Sequence, residues 1–286
     1  MPGTTHQSYP VLVGGHMCGR FVIARATSDL VPLFDVETVG NDLGGPQREI
    51  FPTNDIPIVV EPVRDGISER RLEAARWSLV PPYSKTLTLK YPTFNARLET
   101  VLEKPTFKGS TRTKRALLPF DAFFEWKAVP GQKRKQRHTI SPPDPNTVAF
   151  AGLYAWWKDT EDDSWVLTAT MLTRDATGPL TELHHRAPVV VDHAQWDDWL
   201  DVASEPVDEL FAMISDVSAE LMAEFSVAPS VGYDATESTP PRQPQRVRTS
   251  TSYSCWQSVR GGQQYALHWL VQFLPQHPSC VAHGVR

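Results

Sequence analysis

The sequence predicts an α+β fold: one β-rich domain built around a mainly antiparallel sheet, with a few helices. Two observations lead there. Runs rich in β-branched and aromatic residues, bounded by Pro, Gly or Asp, outnumber helix-like segments. Strands and helices also do not alternate strictly, as a parallel sheet would require. No internal repeat interrupts this reading, and the patterned region runs from residue 17 to about 230.

In chain order, the expected strands are "CGRFVIA" from Cys18, "IPIVVEPV" from Ile56, "LEAARWSLV" from Leu72 and "RALLPFDAFFEW" from Arg115. They continue with "TVAFAGLYAWW" from Thr147, "SWVLTATMLT" from Ser164 and "APVVV" from Ala187. Helix-like patterns cover Ser28 to Asp35, Ala96 to Glu103, His193 to Leu200 and Val207 to Ser215. The first sixteen residues carry no periodic pattern and read as an appended, disordered or non-native extension. After Gly232 the chain turns to Pro, Ser, Thr, Gln and Arg, the composition of a largely disordered tail. Within that tail, "WLVQFLP" (269–275) could dock as a strand or a helix.

Composition narrows the class. Hydrophobic residues make up 41% and charged residues 21%, as in soluble globular proteins. No apolar run reaches the roughly eighteen residues of a membrane span, and no basic segment opens a signal peptide. The three cysteines, Cys18, Cys255 and Cys280, are too few for a disulfide framework and lie at no metal-ligand spacing, so no metal or cofactor is expected. A cytoplasmic monomer is the expectation. The net charge of −5 argues against binding nucleic acid over the whole surface. It leaves room for a local basic cleft from Arg20, Arg76, Arg97, Arg112, Lys114 and Arg115. The run "KRKQR" (133–137) reads as a solvated hairpin.

Five segments set reactive or planar polar groups in apolar or turn settings: "MCGRF" (17–21), "RWSLVPPYS" (76–84), "FNARLET" (94–100), "FDAFFEWK" (120–127) and "ELHHRAPVVV" (182–191). Taken singly, each has two readings. Cys18 is a core residue or a nucleophile. Glu125 is a carboxylate on a solvated strand face, or a proton donor whose pKa is raised by its apolar neighbours. Asn95 caps a helix or orients a substrate. His184 and His185, as neighbours on an extended segment, would point to opposite sides, so only one can serve a given site.

Together the five segments resemble the SOS response-associated peptidase-like (SRAP) family, whose members process abasic sites in DNA. The resemblance runs in order from Met17 to about Gly232, and "HHRAP" matches the family's His-x-Arg-x-Pro. It implies a barrel-like β-rich core and a groove for single-stranded DNA containing abasic sites. It also implies that Cys18, once Met17 is removed, links covalently to the abasic sugar. The amine of an N-terminal cysteine condenses with the sugar aldehyde to an imine, and its thiol closes a thiazolidine on the same carbon. By the same resemblance, Asn95 would hold the amine or sugar, Glu125 would move protons, and His184 would assist opening of the sugar ring. Arg20, Arg97 and Arg186 would contact phosphates, and Trp77 and Trp126 would stack on bases or shape the groove. Self-removal of whatever precedes the cysteine would make the protein a peptidase as well. The rival readings are a cysteine peptidase or amidohydrolase acting on other substrates, and a non-catalytic single-strand binder.

Two departures accompany the resemblance. Sixteen residues precede Met17, which leaves Cys18 without a free amine unless the chain starts at Met17 or is cut before Cys18. We expect Met17 to be the functional start. After Val231-Gly232 the family's Asn- and Arg-containing segment is replaced by "YDATESTPPRQPQ". A frameshift or divergence there would explain the change in composition.

Overall fold

The computed structural model describes residues 18–40, 46–203 and 206–230. The chain opens with β1 (Phe21–Ile23), α1 (Thr27–Leu33), β2 (Thr38–Val39), β3 (Gln47–Ile50) and β4 (Asp55–Val60). A small hairpin of β5 (Val63–Arg64) and β6 (Ile67–Ser68) follows. It turns through Asp65 and Gly66 at φ 53° and 78°, the pair of positive φ values that a tight two-residue hairpin turn needs. Next come β7 (Arg71–Trp77), β8 (Asn95–Arg97), α2 (Leu98–Val101), α3 (Pro105–Thr111), β9 (Arg115–Leu118) and β10 (Ala122–Lys127). The hairpin partner β11 (Gln136–Ser141) precedes the two long strands β12 (Val148–Lys158) and β13 (Trp165–Asp175). A 3₁₀ turn (Gly178–Glu182) leads to β14 (Arg186–Pro188) and β15 (Val190–Asp192). A second 3₁₀ turn (His193–Gln195), α4 (Trp196–Leu200), α5 (Val207–Ala223) and β16 (Ser226–Pro229) complete the described chain.

Strands β13, β12, β9, β4 and β7 pair in that order, and β7 returns to β13, so the path closes into a five-stranded barrel. Four of its pairings are antiparallel, and the closing one, Arg76 with Thr168 and Trp77 with Ala169, is parallel. Closure removes the open edges that would otherwise invite pairing with other chains. A second sheet, in the order β16-β11-β10-β1-β3, is antiparallel throughout. Aromatic residues join the two sheets: Phe21 of β1 meets Trp77 edge-on at 4.9 Å and Phe150 at 5.7 Å, and Phe120 stacks on Phe150 at 3.7 Å. Such pairs add to area burial, and all four side chains are fully buried. At Gly152 a Cβ would lie 2.2 Å from Leu118 Cδ1 and 3.0 Å from the Thr170 carbonyl, so only glycine lets these barrel strands approach. The α+β class and the mainly antiparallel, barrel-like core are as expected.

Several elements differ from expectation for local reasons. "RALLPFDAFFEW" is two strands in different sheets. Pro119 has no N–H to continue a ladder, and the Asp121 carboxylate accepts from the Ala24 N–H (2.5 Å) and pairs with Arg25 (3.0 Å), fixing the corner. "APVVV" breaks at Val189, where the chain leaves β13 for β12. The helix expected over 96–103 shrinks to α2, because Asn95, Ala96 and Arg97 pair with Met171, Leu172 and Thr173. Helix α5 runs on to Ala223, anchored where Ser218 Oγ accepts from the Val190 N–H at 2.9 Å. The sequence reading missed α3, whose "PTFKGST" is poor in helix formers apart from the N-terminal proline. Among the described residues, no helix is long and apolar enough to cross a membrane, and no cluster of three or more potential metal ligands forms. Met17, the N-terminal extension and the tail with its "WLVQFLP" segment lie outside the described residues.

Candidate active site around Cys18

Strand β1 lies antiparallel on β10, with Phe21 opposite Phe123 and Val22 opposite Ala122, and the Phe124 N–H donates to the Arg20 carbonyl at 3.0 Å. Continued backwards, this register lays Gly19 opposite Glu125 and Cys18 opposite Trp126. The Cys18 backbone N–H donates to the Glu125 carboxyl group. Glu125 is 6% exposed, and its Oε1 has no hydrogen-bond partner among the described residues. Burial pushes its pKa up to about 8, against partial compensation from the Cys18 amide, the Lys135 charge and the Trp126 amide. The residue is therefore an acid with a proton to give near neutral pH.

Cys18 is itself buried, with its thiol directed at the Arg20 carbonyl at 4.0 Å. Burial first, and the nearby Glu125 charge second, hold its pKa well above the ordinary thiol range. Asn95 reaches the same residue from β8, its Nδ2 donating to the Cys18 carbonyl at 3.0 Å. Asn95 thus caps no helix; the residue preceding α2 is Arg97. The Asn95 Oδ1 is buried and has no hydrogen-bond partner among the described residues.

His184 enters from the turn after the 3₁₀ segment, where its N–H donates to the Leu180 carbonyl at 3.0 Å. Its Nδ1 lies 3.0 Å from the Arg186 nitrogen and 3.2 Å from the Arg186 carbonyl oxygen, so the backbone of its own segment holds the ring through Nδ1, while Nε2 is buried without a hydrogen-bond partner among the described residues. Burial lowers its pKa, favouring the neutral ring. The segment is a turn rather than an extended strand, so the rings of His184 and His185 lie 4.3 Å apart instead of on opposite sides. The Lys127–Glu182 ion pair (2.8 Å) ties this turn to β10, and the Lys135 charge acts on both His184 and Glu125.

The residues expected to meet DNA divide into two groups. The Arg20 guanidinium lies over Phe51 (4.6 Å) and Trp126 (4.9 Å), with Glu49 at 3.2 Å. Trp126 is half-buried and Arg97 exposed, so both are open to a ligand. Trp77 and Arg186 are placed differently. Trp77 is fully buried, and its indole N–H donates to the Phe94 carbonyl at 2.8 Å, so it offers no face to a base. Arg186 is buried against Glu99 (2.7 Å), Asp175 (2.5 Å) and the Thr173 carbonyl (2.7 Å), as an internal strut. Arg115, from the expected basic cleft, is also buried; it holds backbone carbonyls of Trp199, Asp201, Thr111 and Arg112. The "KRKQR" run does form a hairpin, but its last residue, Arg137, lies over Phe124 at 3.5 Å and near Glu49 at 3.8 Å. Sequence reading missed Glu49, Phe51 and Arg137, because their partners come from other strands. Alternation along β11 is the one signal that could have found Arg137.

A buried carboxylic acid and a buried amide converge on one cysteine at the head of a strand, beside a cation held between aromatic rings. This arrangement defines a cysteine-centred site on a closed barrel backed by a second sheet. The chain belongs to the SOS response associated peptidase (SRAP) family, whose profile matches residues 17–233. The abasic site processing protein YoaM of Bacillus subtilis is 32% identical over 213 residues, covering 74% of this chain and 91% of that one. The chicken (Gallus gallus) abasic site processing protein HMCES is 28% identical over 168 residues, about half of each chain. Among solved structures, a phage-related protein from Bordetella bronchiseptica aligns at 27% identity and a TM-score of 0.55, covering 75% of this chain and 94% of that one. A Bacteroides thetaiotaomicron protein shares the fold at a TM-score of 0.58 and 20% identity, covering 69% and 86%.

Proposed function

We propose that this protein processes abasic sites in single-stranded DNA by capturing the sugar covalently on Cys18. The observation that carries this reading is the hydrogen bond from the Cys18 backbone nitrogen to Glu125. With residues 1–17 removed, that nitrogen is the α-amine, already beside a buried acid. The amine attacks the open-chain aldehyde, and Glu125 protonates the hydroxyl of the resulting carbinolamine, which leaves as water to give the imine. The Cys18 thiol then adds across the C=N bond. A C–S bond forms, the thiol proton ends on nitrogen, and a thiazolidine results with net loss of one water. The imine carbon is already a strong electrophile, so this addition does not call for a thiol of lowered pKa.

Asn95 fixes the Cys18 carbonyl and so the direction of the amine. His184, whose buried Nε2 has no hydrogen-bond partner among the described residues, suits the sugar oxygen during ring opening. Arg20, Arg97 and the half-buried Trp126 are the groups we assign to phosphate and base contacts. A thiolate peptidase fits less well, because such enzymes lower the thiol pKa and here burial raises it. The free amine requires either a start at Met17 or cleavage before Cys18, and self-cleavage would account for the peptidase in the family's name.

The test is to mix protein beginning at Cys18 with single-stranded DNA carrying one abasic site and read the intact mass. A heat-stable adduct is expected, and Cys18→Ser is expected to lose it while still binding reversibly. An equally heat-stable adduct from the serine variant would overturn the assignment.

A further inference from the structure

Glu125 is buried, yet the proposed reaction requires it to give up a proton and regain one. The structure points to the route. In the β10–β11 ladder Glu125 lies directly opposite His138, within a register that also pairs Phe123 with Ile140 and Trp126 with Arg137. Residues opposite each other in an antiparallel pair project to the same face, with Cβ atoms about 4.5–5.5 Å apart. Phe123 and Ile140, on that face, are both in the core, so the face is the barrel-facing one; Trp126 and Arg137 occupy the other.

His138 is half-buried, while Glu125 on the same face is sealed, so of the two His138 is the one with access to solvent. Its Nδ1 lies 3.2 Å from the Gln136 carbonyl. A carbonyl can only accept, so Nδ1 carries the hydrogen and Nε2 keeps a lone pair. The neighbouring Glu125 Oε1 has no hydrogen-bond partner among the described residues. The charged or titratable groups around the pair include Cys18 at the head of β1, Lys127 on β10, Lys135 at the start of the β11 hairpin, and His184, on which the Lys135 charge also acts. The flanking β16 brings none.

We infer that His138 is a positioning residue that acts through Glu125, passing the carboxyl proton to and from solvent. The Glu125 O–H bond breaks as an Nε2–H bond forms, and the imidazolium then releases a proton to water; the reverse sequence reloads the acid. This inference rests on the proposed abasic-site chemistry, because it gives Glu125 a proton to turn over.

The experiment measures adduct formation by protein beginning at Cys18, in dilute, weakly basic buffer, using the unmutated protein, His138→Ala and His138→Gln. Unmutated protein is expected to react at a rate independent of added imidazole. His138→Ala is expected to react about tenfold more slowly or worse, and to recover in proportion to imidazole concentration, a response that a packing defect alone would not give. His138→Gln is expected to fold normally and remain slow. An unimpaired alanine variant, a slow one that imidazole does not rescue, or full activity in the glutamine variant would each overturn the relay. If the unmutated protein formed no adduct, the underlying function would fail first, and the relay with it.

Discussion

The Asn95 side-chain amide donates to the Cys18 carbonyl across 3.0 Å, joining β8 to the segment that leads into β1. On the position of that carbonyl depends the direction of the nitrogen beside Glu125. Asn95→Ala is expected to slow covalent capture by about tenfold to a hundredfold while changing reversible DNA affinity little. Single-turnover rates at saturating protein, set against a binding isotherm, check this. Weakened binding with an unchanged capture rate would assign Asn95 to the ligand instead.

Glu125 makes stability depend on pH in a particular direction. Its pKa is raised from 4.5 unfolded to about 8 folded, so between these values the folded state binds more protons than the unfolded state. Stability from this group is complete below pH 4.5, falls as pH rises towards 8, and is flat above. His184, whose pKa is lowered, acts oppositely near its ordinary value. Glu125→Gln is therefore expected to flatten the decline, and to be more stable than the unmutated protein at about pH 9. Thermal melts from about pH 5 to pH 9 measure the difference between the two curves.

Arg97 and Arg186 are expected to separate cleanly. Arg97→Ala removes an exposed charge and should flatten the salt dependence of DNA binding, by a log–log slope of about one for each phosphate left unneutralised, with little change in melting temperature. Arg186→Ala breaks a buried ion pair. Because Glu99 and Asp175 are 46% and 81% exposed, water can re-solvate them, and a loss of about 1–3 kcal/mol is expected rather than the full cost for a sealed pair. Urea unfolding and a salt titration of each variant decide the matter.

The two tryptophans form a similar contrast. Trp77→Ala is expected to cost about 3–5 kcal/mol through the cavity it leaves among Phe21 and Phe94. Trp126→Ala is expected to cost less stability and about 1–3 kcal/mol of single-strand affinity, with Arg20 keeping only the Phe51 ring beneath it.

The apolar strands were legible in the sequence because β12 and β13 are long, apolar and bounded by polar turns. Cys18, Asn95, Glu125 and His184 were found as motifs, but their relation was not. Asn95 meets Cys18 across 77 positions of chain, brought there by the parallel pairing of β8 with β13, and local pattern carries no trace of it. The same limit hid Trp77 and Arg186. An indole or a guanidinium reads alike in sequence whether it faces solvent or seals a barrel, and only the closing β7–β13 pairing and the ion pairs to Glu99 and Asp175 decide. Asn95 as a helix cap failed for a related reason: "NARLET" has the composition of a helix start, and tertiary strand pairing outweighed it.

His184 is expected to act before capture, at opening of the sugar ring. His184→Ala should slow adduct formation by about a hundredfold on a natural abasic site and far less on a simple open-chain aldehyde, whereas Glu125→Gln should slow both. Time courses for the two variants on the two substrates give the comparison. Equal slowing of the histidine variant on both would remove its ring-opening role.

The central claim is that the Cys18 nitrogen, not only its sulfur, bonds to the sugar. Intact mass of the adduct, from protein beginning at Cys18 and from the same protein with its α-amine acetylated, tests it most directly. The free-amine protein is expected to gain the mass of the DNA less one water and to stay joined on heating, while the acetylated protein gives no stable adduct. A stable adduct on the acetylated chain would contradict the account.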